Sequence, residues 1–264
     1  MKKSLSIIFL SVLLINGCSF VINKMVFYPD TKDVLSANQL PSNVKEVYIE
    51  TEDRVKIQCY FIPNQSSDKI LVYFHGNAGN ICHRLSDLLI MNRLGINVLG
   101  ISYRGYGKSE GKASEKGIYL DGQAALNYVT QKLGFSINNV IIFGRSIGTA
   151  VAINISQNIN IGGLILITPL TSGEDIAFAS GLIFASFWVG DLFNNIDKID
   201  HVSCPVLVIH GTQDRVIPFQ MGKRIYNKIK TKKRFVKIEG AGHNNLSNEY
   251  KKSYWLPIFE FITQ

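Results

Sequence analysis

The chain has 264 residues, 46% of them hydrophobic and 18% charged, with a formal net charge of +8 and a pI near 9.2. That composition is globular; it excludes a disordered or collagen-like chain and gives enough length for one large α/β domain with its own core. The positive charge is spread along the chain, with one denser run at Lys228, Lys230, Lys232, Lys233 and Arg234. The run is neither interleaved with stacking aromatics nor set in a nucleic-acid-binding module, so it reads as a solvated face, with an anionic membrane surface as the next partner to consider and no nucleic acid expected.

The N-terminus reads as a targeting segment. Lys2 and Lys3 form a basic start, and Leu5 to Ile15 form an apolar stretch too short to span a bilayer comfortably. Ile15-Asn16-Gly17-Cys18 follows. A small residue before cysteine at this point resembles the lipobox of bacterial lipoproteins, in which cleavage precedes the cysteine and the cysteine is then acylated. The resemblance implies that Cys18 is the lipid attachment point and that the chain is exported. Asn16 departs from the small or aliphatic residue usual there. Ser19 stands where an Asp commonly retains lipoproteins at the inner membrane, which favours the outer membrane. An uncleaved anchor and an ordinary signal peptide are the alternatives, and both also export the chain. The expected organisation is a signal peptide over 1–17, an anchor and linker over 18–40, and one domain over 41–264. Cys59, Cys82 and Cys204 have no metal-like spacing. Cys59 and Cys204 read as small buried hydrophobes, and one disulfide stays open.

Within the linker, Phe27-Tyr28-Pro29 is expected to latch onto the domain. Val44 to Glu50 and Arg54 to Phe61 read as two strands around the polar turn Thr51-Glu52-Asp53. Lys69 to Phe74 is an apolar strand ending at His75-Gly76-Asn77-Ala78-Gly79-Asn80. Ile81 to Leu94 carries a helical apolar stripe. Ile96 to Ser102 is a strand, followed by Tyr103-Arg104-Gly105-Tyr106-Gly107-Lys108-Ser109, and Ile118 to Leu133 is helical. Val140 to Phe143 is a β-branched run suited to a strand buried on both faces. Gly144-Arg145-Ser146-Ile147-Gly148 follows, and Thr149 to Ile155 alternates small and aliphatic residues as a helix packed close to a sheet would. Gly163 to Thr168, Pro205 to His210 and Arg234 to Ile238 are the remaining strands. Met221 to Ile229 is a helix, and Tyr254 to Thr263 is a closing helix interrupted early by Pro257. An antiparallel start followed by alternating strands and helices predicts an α/β fold: a doubly wound, mostly parallel sheet with a short helical insertion after the sixth strand. Ligands of such sheets bind at the carboxyl ends of the strands, and each polar loop named here follows a strand.

Strand, tight turn and helix around G-x-S-x-G is the setting of a nucleophile elbow. The residues two away from Ser146 must be small, or their Cβ atoms would strike the adjoining strand and helix. A serine hydroxyl needs a base, and the base needs an orienting carboxylate. Of His75, His83, His201, His210 and His243, the last sits in a Gly-rich turn directly after the final strand and is the expected base. His210 and His75 read as structural, and His83 and His201 as surface residues. Asp214, in Gly211-Thr212-Gln213-Asp214-Arg215-Val216-Ile217-Pro218 after the penultimate strand, is the expected acid, with Asp191 as runner-up. The chain order Ser146, Asp214, His243 is that of α/β-hydrolase triads. The backbone amides of Ile147 and Asn77 are the expected oxyanion donors.

Five motifs in order, H-G-N-A-G-N, Y-R-G-Y-G-x-S, G-R-S-I-G-T-A, H-G-T-x-D-x-V-I-P and G-A-G-H-N, run from Lys69 to His243. Over this span the chain resembles the α/β-hydrolase superfamily, nearest the branch that holds eukaryotic depalmitoylating thioesterases and bacterial relatives often described as serine-aminopeptidase-like. The resemblance implies a triad of Ser146, Asp214 and His243 and an oxyanion hole from Asn77 and Ile147. Two departures are Ser102, where the branch often has Asp, and Arg215, where an acidic residue is common. Ser146 also stands where haloalkane dehalogenases and epoxide hydrolases of this fold place an Asp nucleophile, and the resemblance implies no metal or redox cofactor.

The stretch from Ile176 to Gly190 carries no charge and includes Phe178, Leu182, Phe184, Phe187 and Trp188. It reads either as a helix packed on the sheet edge or as a segment that touches lipid or, through Phe184, Phe187 and Trp188, lines an acyl pocket. The expected reaction is hydrolysis of a small-molecule ester, thioester or acylated substrate through an acyl-enzyme, falling off as His243 protonates in mild acid. The alternatives are an aminopeptidase-like serine peptidase, for which no acidic amine pocket can be pointed to, and a non-catalytic surface lipoprotein on the same fold.

Overall fold

Runs of uninterrupted apolar residues make the centre of the molecule, because parallel strands covered on both faces have no polar side to present. The computed structural model describes residues 23, 26–32, 39–182 and 190–264. In these residues the strands are β1 (Lys45–Glu50), β2 (Lys56–Ile62), β3 (Ile70–Phe74), β4 (Asn97–Ile101), β5 (Val140–Arg145), β6 (Gly163–Ile167), β7 (Val206–Gly211) and β8 (Lys233–Ile238). They form one eight-stranded sheet in the order β1-β2-β4-β3-β5-β6-β7-β8. β1 and β2 pair antiparallel, as do β2 and β4; the pairings from β4 to β8 are parallel. Every residue of β3 to β7 is buried, whereas β1 and β8, at the two edges, are half-exposed.

The helices are α1 (Leu85–Arg93), entered through a 3-10 turn at Ile81–Arg84, α2 (Glu115–Asn127), continued by a π-helical turn at Tyr128–Lys132, α3 (Gly148–Ile155), α4 (Gly173–Ala179), α5 (Asn195–Lys198), α6 (Phe219–Lys228), α7 (Leu246–Glu249) and α8 (Lys251–Ile262). Alternate strand residues face opposite sides. Val72, Ile142, Leu164 and Val208 pack in one core with α2, α3 and α6. Leu71, Ile141, Phe143, Ile165 and Leu207 pack in a second core with α1 and α8. The sheet is therefore wound on both faces. β3 has β4 on one side and β5 on the other, so the winding reverses between β3 and β5. Sheets of this kind bind ligands at the crevice opened by that reversal.

Element boundaries move where a local backbone feature overrides the apolar pattern. β2 begins at Lys56 rather than Arg54, because Arg54 has φ of 61° and cannot continue a strand. α2 begins at Glu115, ahead of its first apolar residue, because the Ser114 side chain accepts from the Gly117 N–H and caps the helix there. The closing helix starts at Lys251 and runs through Pro257, so the proline does not interrupt it. Between β6 and β7 the short helices α4 and α5 form the insertion. Of the expected latch, Phe27 is buried at 5% exposure and Tyr28 is 61% exposed. Cys59, Cys82 and Cys204 are buried and free, so no disulfide forms among the described residues. Cys18, Phe184, Phe187 and Trp188 lie outside the described residues. No helix among the described residues is long and apolar enough to cross a membrane.

Candidate active site

The turn from β5 into α3 is held tight by two glycines. A Cβ on Gly144 would lie 2.5 Å from the Gly148 carbonyl oxygen, and one on Gly148 would lie 2.3 Å from the Phe74 carbonyl oxygen. Both are backbone atoms that cannot step aside, so strand, helix and the end of β3 meet at van der Waals limits only without side chains there. Between them Ser146 has φ of 55°, the left-handed region that a non-glycine residue avoids unless its surroundings enforce it. The enforcement is visible. The Ser146 N–H donates to the Ile167 carbonyl at 2.9 Å, and the Ser146 carbonyl accepts from the Thr149 N–H at 2.9 Å and hydroxyl at 2.6 Å.

Two distant segments converge on this turn. His243 Nε2 lies 3.1 Å from Ser146 Oγ, and His243 Nδ1 lies 2.7 Å from Asp214 Oδ2. The Asp214 carboxylate is fully buried, and its other oxygen accepts from the Val216 and Ile217 N–H groups at 2.9 and 2.8 Å. Burial pushes its pKa up, but hydrogen bonds from His210 and His243 and from the Ile217 N–H outweigh it and hold the carboxyl well below the usual carboxylate range. The acid therefore stays ionised and can only accept, which fixes the proton of His243 on Nδ1 and leaves Nε2 free to accept from Ser146. Asp191, the alternative acid, sits exposed in a turn.

His210 has the structural part expected of it. It is buried, and Nε2 lies 2.9 Å from the Ile217 carbonyl and 3.5 Å from Asp214 Oδ2, bracing the turn that carries the acid. A Cβ on Gly222 would come within 2.2 Å of its Nδ1, so α6 gives up a side chain to seat the ring. His75 is likewise buried, against the rings of Tyr103 and Tyr106 at 4.4 and 5.3 Å, and burial lowers its pKa to about 3. His83 and His201 are exposed.

Arg145 has a part that motif spacing did not reveal. Its side chain is only 10% exposed, its Nη2 donates to the His243 carbonyl at 3.3 Å, and its Nη1 lies 4.0 Å from the Asp87 carboxylate. The variable position of G-x-S-x-G thus ties the Ser146 turn to the His243 loop. A charged residue buried at the end of an apolar strand was the signal available.

The loop after β3 lies against the elbow: a Cβ on Gly76 would sit 3.4 Å from Ser146 Cβ. Neither Asn77 N–H nor Ile147 N–H has a backbone acceptor among the described residues. The Y-R-G-Y-G segment buttresses this loop. Tyr103 donates its hydroxyl to the His75 carbonyl at 3.0 Å, and Tyr106 donates to Asn77 Oδ1 at 2.9 Å. Arg104 anchors the segment by donating to Asp121 at 2.8 Å and to Asp53 at 2.7 and 2.9 Å. Among the described residues no group of three or more His, Cys, Asp or Glu could hold a metal ion.

The chain is similar to known proteins in sequence and in fold. The family model of serine aminopeptidase S33 matches residues 65–198. The α/β hydrolase domain-containing protein 17B of Homo sapiens is 35% identical over 211 residues, which cover 79% of this chain and 72% of that protein. The α/β hydrolase domain-containing protein aho-3 of Caenorhabditis elegans is 36% identical over 214 residues, 80% of this chain but 63% of the relative. Among solved structures, an esterase from Pyrococcus furiosus superposes with a TM-score of 0.72 at 21% identity, covering 90% of this chain and 98% of its own. An α/β hydrolase from Vibrio vulnificus gives 0.74 at 20% identity, covering 92% of each. At such identities the likeness is one of fold.

Proposed function

Because the chain belongs to the α/β-hydrolase superfamily, we propose that it is a serine hydrolase cleaving a carboxylic ester or thioester through an acyl-enzyme on Ser146. The observation that carries this reading is the relay from Ser146 Oγ to His243 Nε2 at 3.1 Å and from His243 Nδ1 to a buried, ionised Asp214 at 2.7 Å. Ser146 Oγ attacks the acyl carbon while His243 takes its proton; the carbonyl π-bond opens and its oxygen becomes an oxyanion. The N–H groups of Asn77 and Ile147 stabilise that charge, helped by the N-terminus of α3. The carbonyl re-forms, the C–O or C–S bond to the leaving group breaks, and His243 gives its proton to the departing oxygen or sulfur. Water then repeats the sequence, deprotonated by His243, and releases the acid and free Ser146. An imidazolium cannot accept the serine proton, so the rate falls in acid.

The apolar residues Phe184, Phe187 and Trp188 would take the acyl chain, and Cys18 would hold the protein to the outer membrane of its exporting cell through a lipid. A peptidase reading draws its support from the name of the matching family. One experiment separates these: a panel of p-nitrophenyl esters of graded chain length, acyl thioesters and aminoacyl amides, run alongside fluorophosphonate labelling. Ser146→Ala should lose labelling and turnover together, esters and thioesters should outrun aminoacyl amides, and Trp188→Asp should shift the preference to shorter chains. Labelling that survives Ser146→Ala overturns the mechanism, a faster aminoacyl reaction overturns the substrate class, and an unchanged chain-length profile overturns the pocket.

A further inference from the structure

We infer that residues 26–32 form a strap that positions the oxyanion loop, with the Asn77 side chain as its clasp. The inference rests on the hydrolase reading above. The loop from Gly76 to Asn80 belongs to no strand or helix. With glycine at two of its positions it has little backbone stiffness of its own. Its two asparagine side chains supply what the backbone lacks, and both reach the strap. Asn77 Nδ2 donates to the Val26 carbonyl, and Asn77 Oδ1 accepts from the Tyr28 N–H at 3.0 Å as well as from Tyr106. Both lone pairs of that oxygen are therefore used. Asn80, fully buried, donates through Nδ2 to the Asp30 carbonyl at 3.1 Å and the Lys32 carbonyl at 3.0 Å. Between the two, Pro29 bridges Gly79 in parallel.

The strap is itself pinned at both ends. Phe27 is in the core, edge-on to Phe193 with ring centroids 6.2 Å apart, and the Asp30 carbonyl accepts from the Gly107 N–H at 2.8 Å. A backbone N–H aimed at a developing oxyanion must be held to fractions of an ångström, and displacement by about 1 Å can reduce a rate by about a hundredfold. Asn77 meets that requirement by turning its side chain to a segment 49 to 51 positions earlier in the chain while its own N–H is left with no backbone acceptor among the described residues. Val26 to Lys32 are thus part of the catalytic apparatus although none of them touches the reacting atoms.

The test uses the full chain and three variants. Asn77→Ala keeps the proposed N–H donor and removes the clasp together with the Tyr106 contact; Phe27→Ala loosens the strap without altering the loop or its Tyr106 contact; the third carries both. Each single variant should lower kcat by about 10- to 100-fold with KM changed less than about threefold, and should leave the pH dependence of kcat/KM unmoved because the triad is untouched. The double variant should be no slower than Asn77→Ala alone, since both changes open the same clasp. A kcat within twofold of wild type for Asn77→Ala, in a protein with a cooperative melt, overturns the inference, as does a double variant whose losses multiply. Should Phe27→Ala not fold, Asn77→Ala decides alone. A wild-type chain with no ester or thioester turnover would instead mean that the underlying function is wrong.

Discussion

His75 remains uncharged at ordinary pH because it is sealed between Tyr103 and Tyr106 with its pKa lowered to about 3 by burial. In the unfolded chain the same imidazole titrates near 6.5. Between those values the unfolded state binds a proton that the folded state refuses, so this group adds stability that is present above pH 6.5 and is lost as the pH falls toward 3. His75→Phe removes that one titration. Measured by urea melts, the stability of the variant relative to wild type should rise by up to about 1.4 kcal/mol for each pH unit on going from pH 6 to pH 4. A constant difference across that range would mean that His75 is charged or solvated in the folded protein. Asp214 is shifted by the opposite balance: hydrogen bonds overcome burial, so it stays charged while His75 stays neutral. One sheet edge thus keeps a fixed negative charge at Asp214 and a neutral ring beside the loop from Gly76 to Asn80.

The elbow makes its prediction as an element. Gly148→Ala would set a Cβ 2.3 Å from the Phe74 carbonyl oxygen and 2.7 Å from that of His75, both backbone atoms. α3 must back away from β3, and Ser146 moves with it. Overpacking of this kind destabilises by about 1–3 kcal/mol, and kcat should fall by more than about tenfold because the hydroxyl shifts relative to His243. Thermal melts and steady-state kinetics on the variant check both. This element was legible from the chain because close packing demands small residues at fixed spacing. The buried strands were legible for a similar reason, since β3 to β7 show unbroken apolar runs. The starts of α2 and β2 were less so: a capping hydroxyl at Ser114 and a left-handed Arg54 are single-residue events with no periodicity. Pro257 misled because a proline in sequence does not reveal whether the surrounding packing holds the helix through it.

At the scale of the whole molecule, what could be read from motifs was which residues meet, and what could not be read was what holds them there. Ser146, Asp214 and His243 each lie in a recognisable loop after a strand. The reach of Arg145 to the His243 carbonyl and of Asn77 to the strap joins segments with no shared motif, through hydrogen bonds that leave no pattern along the chain. Localisation also belongs to this scale. Cys18→Ala should move the protein from the membrane pellet to the soluble fraction of lysed cells and abolish metabolic labelling by a fatty-acid analogue. Retention in the pellet with label intact would refute lipid attachment at that residue.

Three thiols, at Cys59, Cys82 and Cys204, are closed inside the fold. Burial raises the pKa of Cys59 above its ordinary value and that of Cys204 to about 12, so neither offers a thiolate to an electrophile while the chain is folded. Alkylating reagents should therefore leave the native domain alone and modify these sulfurs only as it opens. The protein thus carries its own timer of unfolding, readable by mass.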